Sequence, residues 1–72
     1  MLLENNMVKL GKYKHFKGAE VEVIGVAKHS ETLEDVVVYR HDGELWVRPI
    51  DMFEEEVGVD GQLVPRFEFV SE

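Results

Sequence analysis

The chain has no cysteine, which excludes disulfide bonds and thiolate metal sites. That fits a reducing compartment, and a cytoplasmic location is the expectation. No apolar run approaches the roughly 20 residues that span a bilayer, so no membrane partner is expected. The opening Met1-Leu2-Leu3-Glu4-Asn5-Asn6 is too short and too polar for a signal peptide. No segment has the length and period of a full amphipathic helix, and there are no internal repeats. Positive charge is scarce: 8 Lys and Arg stand against 15 Asp and Glu, a net −7 over 72 residues. Such a domain is repelled by phosphate backbones, so nucleic-acid binding is disfavoured.

The charge is uneven. Residues 1–18 carry Lys9, Lys12, Lys14 and Lys17 against Glu4 alone, a local +3, and the remainder sums to −10. The basic stretch reads as an internal counter-charge to the acidic remainder, with a local anion contact as the alternative. At this length one domain is expected, burying about 60% of its unfolded surface. We place an N-terminal arm at residues 1–10, with Met1 to Asn6 frayed or lightly helical, and a single domain at residues 11–72.

What the chain does have is two Asp-Gly pairs, Asp42-Gly43 and Asp60-Gly61, each between apolar runs that alternate with charge. This is the strongest short-range hairpin signal. A strand over Lys12 to Phe16 puts Lys12, Lys14 and Phe16 on one face and Tyr13 and His15 on the other. Lys17-Gly18 turns the chain into a strand from Val21 to Ala27, whose apolar phase shifts at Gly25 and so asks for a bulge. His29-Ser30-Glu31-Thr32 is a polar connection. Val36 to Arg40 and Leu45 to Val47 form the central hairpin. A two-residue loop sets Tyr39 against Trp46; a three-residue loop sets Val38 against Trp46; the pattern does not choose. In both, Trp46 and Arg48 share a face opposite Leu45 and Val47. Pro49 to Phe53 reads as a short helical turn, since Pro49 cannot donate to a ladder. For the last hairpin, a three-residue loop with Gly61 as a bulge gathers Phe53 with Phe67, Val57 with Leu63 and Glu54 with Arg66, and we expect that register. Curling about five strands closes one face, so the expected fold is all-β: a small SH3-like, strongly bent antiparallel barrel with a helical turn near Pro49 to Phe53.

Chemistry-bearing motifs are sparse. His15, His29 and His41 sit on separate elements, without the spacing of a metal site, so neither metal nor cofactor is expected. No Gly-x-Ser-x-Gly elbow is present, and Glu54-Glu55-Glu56 reads as a solvated edge. The informative set is Tyr39, Trp46, Arg48 and Arg66, which combines rigid aromatic area with planar donors able to clamp a carboxylate or phosphate. Two readings stay open: Trp46 as the largest core residue with Arg48 bonded to carbonyls or to Glu31, or both as a binding surface.

The ordered blocks Gly11-Lys12-Tyr13-Lys14-His15-Phe16-Lys17-Gly18, Glu22 to Thr32, Val37-Val38-Tyr39-Arg40, Leu45-Trp46-Val47-Arg48-Pro49, Met52-Phe53 and Val64-Pro65-Arg66-Phe67 resemble the small bacterial domain-of-unknown-function family 1653. The resemblance implies an SH3-like barrel and a short stand-alone bacterial protein, and it supplies no activity, cofactor or partner. Members often carry a longer loop after the Tyr-Arg pair, which His41-Asp42-Gly43 closes tightly here. The family's recurring polar blocks fall on Tyr13, His15, His29, Ser30, Glu31, Thr32, Arg48 and Arg66; with Tyr39 and Trp46 these are the candidate ligand-binding residues. The expected function is a non-catalytic binding module for a small anionic ligand or peptide. The alternatives are a small hydrolase-like enzyme using His29 with Glu31 as acid and base, and an assembly protein pairing through a barrel edge.

Overall fold

The computed structural model describes residues 8–72. Seven strands and one helical turn follow one another: β1 (Gly11–His15), β2 (Glu20–Lys28), β3 (Asp35–His41), β4 (Glu44–Pro49), α1 (Ile50–Phe53), β5 (Glu56–Val59), β6 (Gln62–Pro65) and β7 (Phe67–Ser71). The expected frayed segment Met1 to Asn6 lies outside the described residues. At the described end of the arm, Val8 is buried in the core and the Lys9 ammonium lies 4.9 Å from the Phe69 ring centre.

The expected all-β class holds, but the barrel does not. Five antiparallel strands form one open sheet in the order β4-β3-β2-β1-β7, and β5-β6 form a separate two-stranded sheet. Closure would need the outer strands β4 and β7 to find partners in the chain that follows Pro49. Pro49 instead starts the single turn of α1, and β5 and β6 ladder only with each other. Side chains rather than a continuous ladder cover the concave face. Phe53 from α1 is about 1% exposed and stacks on Phe67 at 4.3 Å between ring centres, with Tyr13 edge-on at 5.3 Å. Val21, Val23, Val37 and Tyr39 complete this core.

Register follows from turn chemistry. Asp42 and Gly43 both have positive φ, as do Asp60 and Gly61, so both loops are two-residue turns of the kind that match strand twist. The central hairpin therefore sets Tyr39 against Trp46 and Val37 against Arg48. The last hairpin takes the same geometry, with Val57 against Val64 and Gly58 against Leu63, which corrects the expected three-residue loop. That expectation treated Leu63 to Phe69 as one strand. The chain breaks at Arg66, so Phe53 and Phe67 meet as stacked rings in the core and not as ladder partners. The bulge expected near Gly25 is present as a register shift between Val23 and Gly25.

The outer face of the sheet carries the counter-charges. Lys12 and Lys14 lie opposite Glu22 and Glu20, and the Arg40 guanidinium meets Glu22 at 3.1 Å. Opposite charges facing across a sheet are favourable cross-strand pairs. No helix among the described residues is long and apolar enough to cross a membrane.

Candidate functional site

The concave face is not filled along its whole width. Beyond Phe67 and Tyr39 it opens into a cleft of about 340 Å³ lined by His15, Ala19, Val21, Tyr39, His41, Trp46, Arg48 and Phe67. Alternation places these side chains together: Tyr39 and His41 on β3 share a face with Trp46 and Arg48 on β4, and His15 on β1 faces Phe67 on β7. No Asp or Glu lines the cleft.

Trp46 is 47% exposed, so it is not the core anchor of the domain. Its indole N–H donates to the His41 carbonyl at 3.3 Å, which leans the ring over the hairpin end. Arg48 lies 5.5 Å from the Phe67 ring centre, within cation–π range. Its Nε is buried and meets no hydrogen-bond acceptor of the protein among the described residues, a condition shared by Nε of Arg66. The two guanidinium groups differ in their other contacts. Arg66 is held by Glu55 at 3.2 Å, and Arg40 by Glu22, whereas Arg48 has no carboxylate partner among the described residues. The suggested bond from Arg48 to Glu31 is not made; the Glu31 amide instead donates to His29 Nδ1 within its own turn.

Burial first, then the charges of Arg66, Arg48 and Lys17, hold the His15 imidazole below its ordinary pKa of 6.5. The neutral ring stacks edge-on against Phe67 at 4.9 Å, and its Nδ1 accepts the Lys17 amide at 3.1 Å. His15 therefore both shapes the β1–β2 turn and walls the cleft.

The other candidates separate from this group. Tyr13 is a core residue whose hydroxyl donates to the Lys9 carbonyl at 2.8 Å. Burial first, then the nearby Glu54 carboxylate, raises its pKa above the usual 10.0. His29, Ser30, Glu31 and Thr32 lie in the turn that joins β2 to β3, and none of them lines the cleft. There His29 Nδ1 accepts the amides of Glu31 and Thr32 at 3.1 and 3.3 Å, and Thr32 Oγ1 accepts the Glu34 amide at 3.2 Å. The His29 and Thr32 side chains tie the turn. Among the described residues no three His, Cys, Asp or Glu side chains converge as metal ligands. Sequence reasoning missed Ala19, Val21, Phe67 and His41 as cleft walls. His41 was recoverable, because the two-residue loop that pairs Tyr39 with Trp46 also puts His41 on their face.

A family model described as "Protein of unknown function (DUF1653)" matches residues 11–69. The fold is similar to the crystal structure of a protein of that family from Bordetella bronchiseptica. The likeness covers 88% of this chain and 87% of that one, with 32% identity and a TM-score of 0.79. No curated protein matches.

Proposed function

The chain belongs to the DUF1653 family, a membership that carries no chemistry, and on that premise we propose that it is a non-catalytic binding module whose cleft holds a small anionic ligand against Arg48 and Trp46. One observation supports this above the others. In a chain of net charge −7, the one arginine among the described residues without a carboxylate partner stands in a cleft that no carboxylate lines. Retaining an unpaired guanidinium at a partly covered site costs desolvation, which an incoming anion offsets through charge-assisted bonds. Trp46, Tyr39 and Phe67 give the same cleft flat apolar walls, so an anion attached to a planar or apolar body fits better than a bare ion. The absence of cysteine accords with a cytoplasmic setting.

The hydrolase reading draws no comparable support. The His29 ring nitrogen that Glu31 would orient is occupied by turn amides. The test is an NMR titration with benzoate and, separately, inorganic phosphate. Shifts that map to Trp46 Nε1, His15 and Arg48 are expected. Replacing Arg48→Gln should weaken binding by about 10- to 100-fold, the worth of a hydrogen bond to a charged group, with the fold intact by circular dichroism. Equal binding by that variant, or shifts confined to another face, would refute the proposal.

A further inference from the structure

The open sheet leaves two edges, and they are unlike. β7 pairs with β1 through a bulge at Lys12/Tyr13, an irregularity of the kind that blunts an edge. β4 keeps six consecutive pairs with β3, has no strand on its other side among the described residues, and carries Leu45 at 59% and Val47 at 61% exposure around the half-exposed Trp46. No lysine or bulge guards it; its one inward-turned charge, Arg48, points into the cleft, and its single proline stands at its end. A regular apolar edge of this kind is a template for strand addition.

We infer that β4 pairs antiparallel with β4 of a second copy of this chain, about a two-fold axis at Trp46. Hydrogen-bond phase limits where the axis can fall. The two-residue turn makes His41 and Glu44 a bonded pair, so the backbone groups of Glu44, Trp46 and Arg48 point to β3 and those of Leu45 and Val47 point outward. An axis at Trp46 sets Leu45 opposite Val47 of the second copy, and the reverse. Both of these pairs are in phase and supply four N–H···O=C bonds. An axis at Leu45 would place Glu44 beside Trp46. An axis at Val47 would bring Pro49, which has no N–H, opposite Leu45.

Charge decides for the same axis. Glu44 and Arg48 lie on one face of β4, two residues either side of Trp46, so the two-fold brings Glu44 of each copy opposite Arg48 of the other. The segment Glu44-Leu45-Trp46-Val47-Arg48 is thus self-complementary in an isologous interface. The general repulsion between two acidic chains is screened beyond about 8 Å at physiological salt, so these local pairs govern the seam. In this pairing Glu44 of the second copy supplies the carboxylate that Arg48 lacks among the described residues of the single chain, so an anion in the cleft and the second copy draw on one guanidinium.

Sedimentation velocity of the full chain over a concentration series tests the inference. The unaltered protein should show a monomer–dimer equilibrium. Glu44→Arg and Arg48→Glu should each raise the dimer dissociation constant by about tenfold or more, since each sets like charges across the seam. An equimolar mixture of these two variants should recover dimer, because the altered side chains at positions 44 and 48 then face opposite charge. Val47→Pro removes an outward N–H that no bond within the chain uses, so it should give a folded monomer. A protein that stays monomeric to millimolar concentration, single variants that dimerise unchanged, or a mixture that fails to recover dimer would overturn the pairing. Anion titration of the Val47→Pro monomer reads the cleft separately, so either proposal can fail without the other.

Discussion

The two Asp-Gly hairpins share a turn and differ in almost everything else. Both loops hold Asp and Gly at positive φ and both close in two residues. The central hairpin is built into the five-stranded sheet, with Val37 completely buried and Tyr39 nearly so. The β5–β6 hairpin pairs only with itself, and its best-covered residues, Val57 and Val64, are partly buried and face one another. An isolated two-stranded hairpin is marginal in water. The turn therefore sets register in both, while stability comes from the neighbours that only one of them has.

The sharpest way to break the contrast is to remove what covers the sheet. Phe53→Ala deletes the ring that stacks on Phe67 and contacts Tyr13 and Tyr39. A buried Phe truncated in this way costs about 3–5 kcal/mol, which matches the whole stability expected of a domain this small. Urea titration should find the variant largely unfolded; a native-like midpoint would mean that the aromatic cover is not the source of stability.

A gentler comparison uses the turns themselves. A Cβ added at Gly43 or Gly61 meets nothing within 4 Å, so the cost of Gly→Ala at either site is the positive φ alone. Gly43→Ala should lower global stability by about 1–2 kcal/mol. Gly61→Ala should move the global transition by less than about 0.5 kcal/mol while hastening hydrogen exchange at β5 and β6 amides, because a weakly attached unit opens by itself. Equal shifts in the two urea midpoints would place both hairpins in one cooperative unit.

The smallest effect is electrostatic and joins the hairpins at His15. Arg48 from the central hairpin and Arg66 beyond the last one both depress its pKa, after burial. NMR titration should show the His15 pKa rising in Arg66→Gln and, by less, in Arg48→Gln, without returning to 6.5 in either. The sign for stability follows. The unfolded chain takes up this proton first, so stability attributable to His15 is complete above pH 6.5 and declines as pH falls below it. The decline ends once pH passes the depressed folded value. An anion bound beside Arg48 should oppose that loss by favouring the protonated ring.

Most of the local structure was legible in the residues. Alternation around Tyr13 and Val21, the phase shift at Gly25, the stop at Pro49 and both Asp-Gly reversals are backbone and period effects that act within a few residues. The site was half legible. Trp46, Arg48 and Tyr39 share a face in any hairpin with the two-residue loop, and β1 alternation puts His15 on the face of Tyr13. The place of the His29–Thr32 block was not legible, because a row of polar side chains does not say whether it joins the cleft or, as here, lies outside it with His29 Nδ1 tying its own turn.

The sequence by itself determined where this chain reverses and, except at the break near Arg66, where it extends, because sterics at glycine and proline and the two-residue period of a strand are local. Only the tertiary structure decided that the sheet stays open, that Phe53 lies on Phe67 and that Trp46 and Arg48 stand over a cleft. Those outcomes depend on which distant segments meet. Pairing β5 with β6 or with a sheet edge satisfies the same backbone groups, and the burial of aromatic rings, summed over the whole molecule, selects between them.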